Sequence, residues 1–257
     1  MAAPICDVRR FGLLVGSPVN ARWRRREGRA GTAPIGLEPT ADSEHAPRAR
    51  SLSRVEADLG EWLPLTVRET SELFAAAPFR WWIGGGRALE LNTGRSWRHH
   101  GDIDVGVCRR DVAALRPLLQ EWDLHVASSG RLSPWNGEPL RADLNQNNIW
   151  CRRSPSSPWS IDVSISDGDG DAWVYRRDPS LRLDWDEALL RSDDGVPFLA
   201  PDLQLLFKSK GVRARDDEDF RQVIGSLPAH RRARLARWLP EGHPWKQYLA
   251  REDPRGG

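Results

Sequence analysis

The chain lacks any apolar run near the ~20 residues needed to cross a bilayer, so none of its 257 residues read as a membrane span. The early stretch FGLLVG is shorter than a signal-peptide core and is followed by arginines, not by a cleavage site. Cysteine is scarce: Cys6, Cys108 and Cys151 have no CxxC pairing and no metal-ligand spacing. Reduced, buried thiols in a cytoplasmic protein are the natural reading. Charge of either sign is not in excess, with 38 basic against 36 acidic residues and a net of +2. That leaves no bulk field to hold a polyanion, and no strong reason to expect nucleic acid as a partner. Lysine is rare too, present only as Lys208, Lys210 and Lys246.

What is present divides into three parts. Residues 1–52 are rich in Arg, Pro, Ala and Gly without helical or strand period, and read as a disordered extension. Residues 53–200 alternate helix and strand signals. TVRE at Thr66 is a capping box opening a helix through Ala77. FRWWIGG reads as a strand, GRALELN as a glycine-entered helix, and DIDVGVC as a strand; Asp111 is placed to cap a helix reaching about Trp122. LHVAS, NNIWCR, WSIDVSIS and AWVYRR are further strands, with DGDGD (Asp167–Asp171) as a turn between the last two. Residues 201–257 read as helical, with Pro201 and Pro228 in first-turn positions and RRARLAR as a solvated face. The expected class is α+β: a mixed sheet with flanking helices, then a helical C-terminal part.

Chemistry concentrates in RSWRHHGDIDVGV. Ile103, Val105 and Val107 alternate as a buried strand face should, which turns Asp102 and Asp104 to the other side. Residues two apart on a strand lie roughly 6.5–7 Å apart. Two such carboxylates repel by about 2–3 kcal/mol at an effective dielectric near 20. Arginines, protonation or a divalent cation must offset this, and hard cations such as Mg²⁺ suit carboxylates beside phosphates. Asp162 in WSIDVSIS repeats the pattern, polar between Ile161 and Val163. If the two strands are neighbours, three carboxylates meet on one sheet surface. Upstream, IGGGRALE leads a strand through glycines into a helix, and a helix N-terminus is a ready phosphate site.

The stretch WWIGGGRALELNTGRSWRHHGDIDVGV resembles the nucleotidyltransferase superfamily typified by DNA polymerase β, and most of all its aminoglycoside 2″-adenylyltransferase-like branch. The shared pattern is Gly85-Gly86, Gly94-Arg95, then Arg98, His100, Asp102 and Asp104, with Asp162 as the distant Asp. The likeness spans roughly residues 60 to 250, more weakly after the Asp-x-Asp block. It implies two Mg²⁺ ions ligated by Asp102 and Asp104, with Asp162 completing the metal site or taking the acceptor's proton. It also implies Gly85 and Gly86 at the triphosphate, with Arg98, His100 and Lys208 as cationic partners. The implied reaction moves AMP from ATP to a hydroxyl of a small molecule, an aminoglycoside-like antibiotic being one candidate. Acidic loops at Asp167–Asp171 or Asp193–Asp194 would attract such a cation. Arg87 departs from the pattern, standing where an apolar residue is expected. A protein or RNA acceptor, as in toxin–antitoxin nucleotidyltransferases, and a non-catalytic nucleotide-binding module are the alternative readings. Phosphatase and glycosyltransferase readings of Asp-x-Asp lack their own flanking signals.

Overall fold

A computed structural model describes residues 59–168 and 170–249. The extension at 1–52, Cys6 and Asp169 lie outside the described residues. The order is α1 (Val67–Phe74), β1 (Trp81–Ile83), α2 (Gly85–Thr93), β2 (Asp104–Cys108), a 3₁₀ segment (Arg109–Ala114), α3 (Leu115–Leu118), β3 (Asp123–Ser128) and β4 (Arg131–Pro134). There follow β5 (Asn148–Arg152), β6 (Ile161–Ser166), β7 (Ala172–Val174), β8 (Arg182–Asp184), α4 (Trp185–Ala188), β9 (Leu189–Arg191) and β10 (Pro197–Leu199). Four helices close the chain: α5 (Pro201–Lys208), α6 (Ala214–Ile224), α7 (Ala229–Trp238) and α8 (Lys246–Leu249). This is the expected α+β class.

Eight strands form one mixed sheet in the order β4-β3-β5-β6-β2-β1-β10-β9. The β2–β6 and β1–β10 pairs are parallel and the others antiparallel. Strand alternation sorts the side chains as the sequence pattern requires. Ile83, Val105, Val107, Ile149, Val163 and Ile165 enter a core shared with Phe74 and Leu115. The opposite face carries the polar set, and the C-terminal helices close over its β1 end. There Trp82, Leu89 and Leu199 share a second core with Leu203, Phe220 and Leu235. The helices after Pro201 therefore complete a core that the sheet begins.

The capping box at Thr66 forms as read, the Glu69 amide donating to Thr66 Oγ1 at 3.2 Å and the Thr66 amide to Glu69 Oε2 at 2.8 Å. The helix expected from Asp111 to Trp122 is broken into a 3₁₀ segment and a single α-turn. Pro117 lies inside it, and proline cannot supply the amide that a continuous helix needs. The strands either side of DGDGD do not form the expected hairpin: among the described residues β6 belongs to the large sheet and β7 pairs with β8. The RRARLAR face is not solvated throughout. Arg231 and Arg234 are buried and grip Asp202, itself 1% exposed, at 2.9 and 2.7 Å.

Removing one partner of a buried ion pair strands the others, at a cost of about 3–5 kcal/mol. Asp202→Ala is expected to lose stability in that range, read from its urea unfolding midpoint. A loss below about 1 kcal/mol would mean that solvent already screens these guanidinium groups.

Candidate active site

The parallel register of β2 and β6 sets Asp104 directly beside Asp162. Neighbouring strands are about 4.8 Å apart and paired residues share a sheet face, so the two carboxylates lie side by side on one face at close range. Across the sheet the same row continues to Trp150 and His125, and the next row runs Trp82, Gly106, Ser164, Asn148. Asn148 Nδ2 donates to Asp162 Oδ1 at 2.7 Å, and Ser164 Oγ donates to Asp104 Oδ1 at 3.4 Å. Burial, and then the charge of Asp102, push the Asp104 carboxyl above its usual range; Lys208 opposes. Burial, and then the charge of Asp104, push Asp162 up likewise. Asp102 lies just before β2, exposed, and lines the same cavity as Asp104.

Among the described residues, no three His, Cys, Asp or Glu side chains are gathered closely enough to enclose a metal ion. The donor set nonetheless fits a hard divalent cation: two crowded carboxylates with raised proton affinity, a third at the mouth, and no guanidinium or ammonium bonded to any of them. Asp102, Asp104 and Asp162 are the residues that would hold it.

Two cavities meet at Asp104. One, of about 420 Å³, is basic, with Arg177, Lys208, Lys210, Arg213 and Arg215 around Asp102, Asp104 and Gly85. The other, of about 210 Å³, lies under β7 and α5 and has aromatic walls. Gly85, Asp104, Gln204 and Phe207 border both.

The glycines stand where neighbouring side chains crowd the helix entry. Gly85 has φ +62°, and a Cβ there would overlap the Asp104 carboxylate. Its amide donates to Gln204 Oε1 at 2.9 Å, so that donor is already engaged. Gly86 lines neither cavity; a Cβ there would overlap the His100 ring and the Arg98 guanidinium. The helix entry is glycine-rich because the site's own side chains occupy the space.

Two expected cationic partners point elsewhere. His100 is 2% exposed, with Nε2 3.0 Å from Glu90 Oε1. Burial holds its imidazole below the usual value against the pull of Glu90, and it lines neither cavity. Arg98 forms a two-pronged ion pair with Asp219, both bonds 2.9 Å. Asp219 is 0% exposed and also takes Trp97 Nε1 at 3.0 Å and Lys208 Nζ at 3.0 Å. Lys208 alone of the three lines the basic cavity, held there by Asp219 and by Asp216 at 3.1 Å. Arg87 pairs with Glu90 at 3.0 Å and lines neither cavity. Of the acidic loops expected to draw a cation, the described carboxylates line neither of these two cavities. Asp167 pairs with Arg109, and Asp193 and Asp194 line a separate groove with Arg87 and Arg95. Asn148, Gln204, Arg177, Arg213, Arg215 and Asp219 were not singled out from the sequence. Only Asn148 left a trace there, as a polar residue on the Asp162 side of an alternating strand.

Residues 66–223 match the family model described as aminoglycoside-2″-adenylyltransferase, well over half of the chain. The chain belongs to that family. The enzyme is thus a nucleotidyltransferase of the adenylyl-transferring kind. Similar solved structures include ANT(2″)-Ia in complex with adenylyl-2″-tobramycin, 15% identical, with a TM-score of 0.46 over 67% of this chain and 95% of that one. Another is the lincosamide antibiotic adenylyltransferase LnuA bound to lincomycin, 15% identical, with a TM-score of 0.44 over 63% and 98%. No curated protein matches at a significant level. No helix among the described residues is long and apolar enough to cross a membrane.

Asp216 and Asp219 give the enzyme an acid-sensitive joint. Burial works to raise both carboxyls. For Asp216 the Arg213 and Lys208 bonds outweigh it, and for Asp219 those from Arg98 and Lys208 do. Both pKa values therefore lie below the unfolded value near 3.9. Their stabilisation is complete above about pH 4 and drains as pH falls below it. Asp219→Asn is expected to lower stability at pH 7 and to flatten the loss between pH 4 and 2, followed by urea unfolding at each pH.

Proposed function

We propose that the enzyme moves AMP from ATP to a hydroxyl of a small-molecule antibiotic, releasing pyrophosphate, with Mg²⁺ as the metal. The observation that carries this reading is the Asp104–Asp162 pair beside a cavity lined by five cationic side chains. Magnesium held by Asp102 and Asp104 would supply charge stabilisation for the attacking and leaving oxygens. Lys208, Lys210 and Arg215 bind the β- and γ-phosphates by charge and orient the triphosphate, with its α-phosphorus beside Asp104. Asn148 holds one Asp162 oxygen, which leaves the other to complete the metal site or to take the acceptor's proton. The acceptor oxygen bonds to the α-phosphorus as the bond to the β-phosphate oxygen breaks. Pyrophosphate then leaves on the cationic side. Because ATP is the donor, the reaction belongs in the cytoplasm.

The small-molecule acceptor follows from the family, and an aminoglycoside is the first class to assay. The acceptor approaches the open sheet face on the Asp162 side, where Trp150 stands across from Asp162.

The test is pyrophosphate release from ATP and Mg²⁺ with a panel of hydroxyl-bearing antibiotics. Asp104→Asn and Asp162→Asn are expected to reduce kcat by about 10²–10⁴-fold, the usual share of a positioned acid–base group or more. An unchanged rate in either variant would sink the mechanism. Labelling of protein or RNA, but of no small molecule, in an extract given labelled ATP would move the acceptor to a macromolecule.

A further inference from the structure

The 210 Å³ cavity holds two polar groups that the fold leaves unused. Ser166 Oγ is buried, 8% exposed for the residue, and has no hydrogen-bond partner among the described residues. Arg176 lines the same cavity partly buried, and no hydrogen bond or ion pair to a described residue holds its guanidinium. Burial, and then the neighbouring Arg177, press it below its ordinary value. A buried polar group without a partner is uncommon in a folded chain, and a ligand is one standard reason for it. The walls are flat and apolar: Trp82, Trp173 and Phe207. The volume is below the roughly 300–1,000 Å³ of sites for drug-sized molecules. It suits a single ring system, not a multi-ring antibiotic.

We propose that this cavity is the nucleobase subsite, with the adenine against Phe207 and Arg176 and Ser166 donating hydrogen bonds to its ring nitrogens. The inference rests on the adenylyl-transfer reading above. Connectivity favours the nucleotide as the occupant. The aromatic and basic cavities share Gly85, Asp104, Gln204 and Phe207, so one molecule spanning both has its phosphates among the lysines and its base among the aromatics. Phe207 is fixed for stacking by edge contacts with Trp173 at 6.1 Å and Tyr175 at 4.9 Å between ring centres. Arg177 lies 5.5 Å from its ring and donates to its carbonyl at 2.7 Å. Bases stack on aromatic rings and guanidinium planes in just such settings.

Calorimetric binding of ATP and of inorganic tripolyphosphate to the full chain, with steady-state KM for ATP and for acceptor, tests this. Arg176→Met and Phe207→Leu are expected to weaken ATP roughly five- to a hundredfold. Tripolyphosphate binding and the acceptor KM should stay unchanged, with kcat altered less than KM. Phe207→Tyr should restore most of the loss, and the melting temperature of each variant shows that it folds. The proposal is overturned if ATP and tripolyphosphate weaken together, which would make Arg176 part of the phosphate field. It is equally overturned if only the acceptor KM rises, or if nothing changes. Binding needs no turnover, so these outcomes are readable even if the Asp104→Asn result removes the proposed reaction.

Discussion

The site is organised around a repulsion. Pairing β2 with β6 in parallel and in register puts Asp104 next to Asp162, and like charges directly opposite on a sheet destabilise it. Moving either strand by one residue would relieve the charge and expel Val105 or Val163 from the core, both 0% exposed. The core therefore holds the carboxylates together. Around them the chain makes concessions: no Cβ at Gly85, where it would meet Asp104, and none at Gly106, where it would meet the Trp82 indole. Asn148 and Ser164 donate to the pair from neighbouring strand positions. Such a pair is poorly built for stability and well built to meet a cation.

Positive charge is arranged by a second layer of carboxylates. Asp216 and Asp219 hold Lys208 from behind, at 3.1 and 3.0 Å, and so fix an ammonium at the edge of the basic cavity without neutralising Asp104 and Asp162. A lysine so held has lost its rotamer freedom before any phosphate arrives, which is the entropic part of a prepared site. Arg98 shares Asp219, and the same interaction therefore anchors the loop that leads into Asp102 and Asp104.

The legible part of this was decided by alternation. Asp104 and Asp162 could be placed because their sequence neighbours are Ile and Val, and a strand sends alternate residues to opposite faces. The direction of Arg98 and His100 could not be read that way. They belong to a loop without period, where nearness in sequence to Asp102 says nothing of which way a side chain turns: His100 turned to Glu90 of α2 and Arg98 to Asp219 of α6. The buried arginines of α7 were hidden for a related reason: a charge run looks solvated unless its partner is known, and Asp202 comes from a different helix. Strands β8, β9 and β10 are three residues each, too short for any period to declare itself. The aromatic cavity needed tertiary contact altogether, since Trp82, Ser166, Arg176 and Phe207 come from four separate segments.

The bond between Arg98 and Asp219 joins groups 121 residues apart in the chain. A ribosome must therefore release almost all of the described fold before the loop leading into Asp102 and Asp104 can be tied down. Until α6 has emerged and docked, the growing polypeptide has its acids but no anchored ammonium beside them. The order of synthesis thus withholds the assembled machinery from any unfinished copy.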